Sequence, residues 1–230
     1  MSSLRMGALL AVFVLLPGAA PAAGGSSGGG GLSGYGTSPP RVKSPEEIAE
    51  SRYNSGLKRR DKAWKYEAKA AQISSEKKRD KLMGKAQKQY GKAIKNFRGA
   101  IEKNPVHYQA HSSLGYALRR TGQYEEALEA YDRALGLAPS YAEAIEYRAE
   151  AYLGLNRLED AKGAYIRLFA LERTRADELM QAMETWIEQK QGDSSGLAPE
   201  TLQEFSTWVQ ERREIARQTA RLSDGESSRW

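Results

Sequence analysis

Cysteine is absent from all 230 residues. That excludes a disulfide framework, a thiolate nucleophile, a cysteine-held metal and an acylated cysteine as a membrane tether, so stability has to come from packing. Histidine is almost as scarce. His107 and His111 stand four apart, which would put both rings on one helical face, a geometry that zinc can use. The stretch His-Tyr-Gln-Ala-His lacks the glutamate of the zinc-hydrolase pattern, however, and no metal is expected. No serine has a Gly-x-Ser-x-Gly setting, and the glycine run Gly28 to Gly31 follows no strand. Pairs such as Glu125-Glu126 and Glu159-Asp160 fall at helix starts, where carboxylates favour the positive end of the helix dipole. The expectation is therefore no enzyme and no cofactor.

A long apolar run is also missing. Ala8 to Leu16 is apolar but well short of the roughly 20 residues that cross a bilayer. It follows Arg5 and precedes Ala20-Pro21-Ala22, the layout of a secretory signal peptide over 1–22. The sequence thus predicts export, with a periplasmic or extracellular chain after cleavage near Ala22. An uncleaved membrane anchor is the rival. Residues 23–43, mostly Gly, Ser, Pro and Thr, cannot bury enough surface to order themselves and read as a flexible tether.

Charge is unevenly placed. Leu57 to Lys103 holds 16 Lys and Arg against 5 Asp and Glu, whereas Asn104 to the end holds 15 against 21. The two regions attract each other or attract different partners.

What is present is a period. Ala93, Ala127 and Ala161 recur at 34-residue intervals, as do Tyr90, Tyr124 and Leu158, and Phe97, Tyr131 and Tyr165. Ala100 and Ala134 keep the same step, and so do Pro105 and Pro139. In a helical hairpin that stacks on its neighbours, alanine suits the closest approach of two helices. An aromatic four residues on fills the adjacent gap on the same face. Gly122 and Asn156 fall where each chain reversal needs a left-handed residue.

On these residues, Tyr108 to Tyr141 resembles a tetratricopeptide repeat. Leu114-Gly115, Gly122, Tyr124, Ala127, Tyr131, Ala134 and Pro139 match that family's signature, with His111 where tryptophan is frequent. The next unit keeps Tyr152, Ala161 and Tyr165, with Ala149 in the small-residue slot and Arg173 in place of the proline. The preceding unit matches only in its second half, because Lys81 and Gly84 fall in first-helix slots that should be small and aromatic. The resemblance covers about 100 residues and implies an all-α stack of helical hairpins, an α-solenoid.

The expected layout around it is as follows. Residues 44–105 form a long basic hairpin that includes the degenerate first repeat, opened by a capping box at Ser44, Pro45 and Glu47. Tyr53, Leu57, Trp64, Ala68 and Ala71 line one face of its first helix. The central repeat occupies 106–140 and the third 141–172. Two capping helices over 173–222 carry the stripes Leu179, Met183, Trp186, Ile187 and Leu202, Phe205, Trp208, Val209. A disordered tail is expected over 223–230.

The resemblance further implies a concave groove lined by the first helix of each unit. Its exposed positions here are Gln109, Ser112, Tyr116 and Arg120, then Glu143, Glu146 and Glu150 with Leu153. Family members that bind chaperone carboxylate ends use lysine and asparagine on this surface. Glutamates stand here, so a basic or mixed-charge peptide or partner protein is the better expectation. The alternative is adhesion of the basic helices 57–103 to an anionic envelope polymer or membrane surface, with nucleic acid set aside. Self-association through the long helices is a third reading.

Overall fold

The computed structural model describes residues 41–192 and 196–227. The expected signal peptide and most of the tether fall outside them. Eight helices follow one another among the described residues: α1 (Pro45–Ala71), α2 (Glu76–Lys103), α3 (Tyr108–Arg120), α4 (Tyr124–Leu137), α5 (Ala142–Gly154), α6 (Leu158–Leu171), α7 (Arg173–Gly192) and α8 (Pro199–Ser227). Successive helices pack as antiparallel pairs, giving an all-helical stack of hairpins. No helix of the described residues is long and apolar enough to cross a membrane.

Local chemistry sets the boundaries. The Ser44 hydroxyl accepts from the Glu47 amide while Glu47 accepts from the Ser44 amide, closing the expected capping box. Gly122 at φ 80° and Asn156 at φ 56° reverse the chain between paired helices.

The alanine columns and the Phe97, Tyr131 and Tyr165 column lie in the core, whereas Pro105, Pro139 and Gly122, expected among the packing positions, are exposed at the turns and Tyr124 is half-buried. Tyr90, Ala93, Phe97, Ala127, Tyr131, Ala134 and Ala161 have no exposed surface, and Tyr165 has 2%. Gly115 sits so close to Tyr131 that a Cβ there would come within 2.7 Å of its ring. Trp186 meets Phe205 edge-on at 5.5 Å, and Trp208 meets Tyr165 at 5.7 Å, so α7 and α8 cover the end of the third hairpin with their apolar stripes.

Three features differ from the sequence expectation. The first concerns the small-residue slot of the first hairpin, which is Gly56 on α1 rather than anything near Lys81 and Gly84 on α2. A Cβ on Gly56 would come within 2.4 Å of Phe97, the relation that Gly115 has to Tyr131. The strict 34-residue step fails because α1 and α2 run 27 and 28 residues against 13 and 14 in α3 and α4. The second is the phase of α1. Ala49, Gly56, Ala63 and Ala70 form its buried line, every seventh residue, while Ala71 is exposed and Ala68 half-buried. Small residues mark where α1 and α2 approach closest, and the larger Tyr53, Leu57 and Trp64 flank that seam. The third is α8, which continues to Ser227 into the stretch expected as a disordered tail.

Candidate functional site

Helices α1, α3, α5 and α7 contribute side chains to one cleft, lined by Trp64, Glu67, Tyr116, Arg119, Arg120, Glu146, Tyr147, Glu150, Glu178 and Ala182. Its base is aromatic. The Trp64 indole Nε1 donates to Tyr116 Oη at 2.7 Å, and the Tyr116 ring lies 5.0 Å from Tyr147 and 5.8 Å from Trp64. Arg60 covers the Trp64 ring at 4.2 Å, and Arg119 lies over both Tyr116 and Tyr147.

Ion pairs stitch the helices together above this base. Arg120 donates to Glu67 at 2.5 Å, and Tyr90 Oη donates to the same carboxylate at 2.9 Å. Arg119 donates to Glu150 at 2.6 Å. Arg175 donates to Glu146 at 2.7 Å and Glu178 at 2.8 Å, with Glu143 at 3.9 Å. With Glu172 at 4.0 Å, one guanidinium thus serves four carboxylates, a shortage of positive charge on the α5–α7 side. The Glu146 carboxyl, 3% exposed, responds: burial foremost, then the nearby Glu150 charge, push it up to about 9 despite Arg175. For Arg119 and Arg120 burial alone would lower the guanidinium. The acids and phenols around them outweigh it, and both are held above the ordinary arginine range. The cleft retains about 60 Å³ of free space, room for a few waters and not for a bulky side chain.

Of the seven polar and aromatic residues expected along the groove beside Leu153, the fold brings Tyr116, Arg120, Glu146 and Glu150 into this cleft. Gln109 lies in a second hollow with Glu50, Val106 and His107, its side-chain oxygen 3.1 Å from His107 Nδ1. Glu143 accepts from Tyr141 Oη at 3.0 Å. Exposure was expected at these seven and at Leu153, and the structure differs at every one: Ser112, Tyr116, Glu146 and Leu153 are buried at 1%, 9%, 3% and 3%, and Gln109, Arg120, Glu143 and Glu150 are half-buried. The long α1 covers part of α3, and α7 closes over α5. The Ser112 hydroxyl has no hydrogen-bond partner among the described residues.

Sequence reasoning missed Trp64, Glu67, Arg119, Tyr147 and Glu178. Tyr147 was within reach of a signal, since it follows Glu146 on the helix already assigned to the groove. Trp64 and Glu67 carried none, because only the added length of α1 brings them beside α3. The two histidines hold other contacts. His107 lies tilted against the Tyr53 ring at 4.7 Å and His111 Nε2 meets the Pro105 carbonyl at 2.9 Å.

Residues 85–142 and 118–187 each match a model of the tetratricopeptide repeat. Among curated proteins the chain is 31% identical over 113 residues to the small glutamine-rich tetratricopeptide repeat-containing protein 2 of Saccharomyces cerevisiae. That match covers 49% of this chain and 30% of the relative. It is 41% identical over 59 residues to the peroxisomal targeting signal receptor of Kluyveromyces lactis, 26% of this chain and 10% of that one. The chain therefore spans less than a third of either relative. Among solved structures, the first such domain of human RPAP3 aligns with 21% identity, a TM-score of 0.46, and 65% and 98% of the two chains covered. The corresponding domain of Spaghetti, solved with the HSP90 peptide SRMEEVD, aligns with 23% identity, a TM-score of 0.41, and 57% and 93% covered.

Two statements follow. Residues 85–187 match tetratricopeptide repeats within a repeat-like stack of helical hairpins, and repeats of this kind mediate protein–protein interaction. The expectation of export is corrected: the curated relatives are a glutamine-rich tetratricopeptide repeat protein and a peroxisomal targeting signal receptor, and neither is an envelope protein. Residues 1–22, on which that expectation rested, lie outside the described residues.

Proposed function

We propose that this protein is a non-catalytic interaction module that holds a peptide or a segment of a partner protein against the cleft between α1, α3, α5 and α7. The observation that carries this reading is the convergence of Glu67, Glu146, Glu150 and Glu178 from three helices onto one aromatic base, with Arg119, Arg120 and Arg175 beside them and the Glu146 carboxyl held protonated at neutral pH. A stack held by hydrophobic packing has no need to gather buried charge in one place, and doing so costs desolvation.

Of the expected groove residues, Tyr116, Arg120 and Glu150 face the partner, joined by Trp64, Tyr147 and Glu178, while Glu146 lies beneath them, Ser112 is buried and Gln109 and Glu143 lie outside the cleft. Because the cleft is already filled by its own side chains, a partner lies across the mouth. Its cationic side chains compete with Arg119 and Arg175 for the carboxylates. Acidic chaperone tails of the kind seen on Spaghetti suit this surface poorly, since glutamates face them. A basic or mixed-charge segment suits it.

A displayed peptide library panned against the full chain tests the reading. Lys- and Arg-bearing peptides should be enriched, and the enrichment should fade with Y116F/E150Q, which keeps the fold's volume. Enrichment of acidic carboxyl-terminal peptides, or an unchanged peptide set with the variant, contradicts it.

A further inference from the structure

The outward face of α2 carries a seam that the stack leaves unused. Lys77, Lys81, Gly84, Lys88, Gly91 and Lys95 follow at alternating steps of four and three, which keeps them in one line along a helix. At 1.5 Å per residue the line is about 27 Å long. It runs on the side away from Tyr90, Ala93 and Phe97, all fully buried. The four lysines of the line, with Lys85 and Lys92 beside them, make no ion pair among the described residues; the lysine pairs found there are Lys103 with Glu102 and Lys162 with Glu159. Asp80 is the sole acidic residue from position 80 to 101.

The two glycines are the informative part. Glycine inside a helix weakens it relative to alanine, so it needs a reason. Gly56 and Gly115 have one, a ring pressed against them, whereas nothing lies within 4 Å of a Cβ built on Gly84 or Gly91. Both stand seven apart beside the lysine line, where a missing side chain leaves a shallow trough bordered by ammonium groups.

We propose that this seam docks an acidic α-helix of a partner protein, separately from the cleft. The trough lets a second helix approach closely, and lysines at heptad spacing meet glutamates at the same spacing on that helix. Other anionic partners fit less well. Adsorption to a bilayer gains from apolar anchors, and no large exposed apolar side chain lies on α1 or α2. Single-stranded nucleic acid stacks on exposed rings, which this line lacks, and bidentate phosphate recognition favours arginine over lysine.

The test measures fluorescence anisotropy of a labelled peptide of about three heptads with glutamate at heptad positions, titrated with the full chain at about 0.15 M salt. Saturable binding is expected. Both K81E/K88E/K95E and G84Q/G91Q should weaken it by on the order of tenfold or more, while E150Q in the cleft leaves it unchanged. Circular dichroism should show the same helix content throughout. Phosphatidylserine vesicles and an oligonucleotide of matched charge should compete poorly. The proposal is overturned if G84Q/G91Q binds the peptide as the wild type does, which would reduce the seam to a bare polycation. It is equally overturned if vesicles or oligonucleotide bind as tightly as the peptide, or if nothing binds.

Discussion

Gly56 lies under the Phe97 ring in the first hairpin as Gly115 lies under the Tyr131 ring in the second. The would-be Cβ contacts are 2.4 and 2.7 Å. Both rings are fully buried, so neither can move aside without opening the core. Replacing either glycine with alanine overpacks the seam and should cost about 1–3 kcal/mol, read as a lower urea midpoint with an unchanged slope.

The opposite sign is expected where glycine has open space. At Gly136, as at Gly84 and Gly91, no atom lies within 4 Å of a Cβ. Gly136→Ala should stabilise by up to about 1 kcal/mol in the same urea titration, since it adds helix propensity and disturbs no neighbour. A destabilised Gly136→Ala would mean that α4 is not packed as described.

The cleft's charge pairs should behave as a unit. Arg120→Met strands Glu67, which is 7% exposed and among the described residues keeps the Tyr90 hydroxyl, and should cost about 3 kcal/mol. Adding Glu67→Gln should recover a large part of that loss. Thermal unfolding of the single and double variants measures the recovery, and equal losses would show that the pair is not coupled.

Glu146 sets a pH dependence whose sign is fixed by its raised pKa. The folded protein binds its proton more tightly than the unfolded chain, so the stability it contributes is complete below about 4.5 and declines as pH rises towards 9. Glu146→Gln removes that decline. The variant should gain about 1 kcal/mol per pH unit relative to the wild type between pH 5 and pH 8. A variant that instead loses ground over that interval would place a charged, well-paired Glu146 in the native state.

The stack was legible because its determinants are local and repeated: a small residue, a ring four positions later and a left-handed residue at each reversal. Ala127 with Tyr131, and Gly122 with Asn156, carry that information in the chain itself. Gly56 was not legible, because the elongated first hairpin puts it 115 − 56 = 59 residues before its counterpart Gly115 rather than one period away. The same elongation hid Trp64 and Glu67, which reach Tyr116 and Arg120 across more than fifty residues of chain. Periodicity also assigned Glu146 and Ser112 to the groove face without revealing their burial, since burial depends on how far α1 and α7 reach over that face. Nothing in the spacing carries that distance.

Chemical-shift mapping of the full chain, titrated with a basic peptide selected from the library, tests the central claim most directly. The Trp64 indole, Tyr116, Tyr147 and Glu150 resonances should move together and saturate, with α4 and α6 unaffected. Shifts confined to α4 and α6, or none at the Trp64 indole, would contradict docking at the cleft.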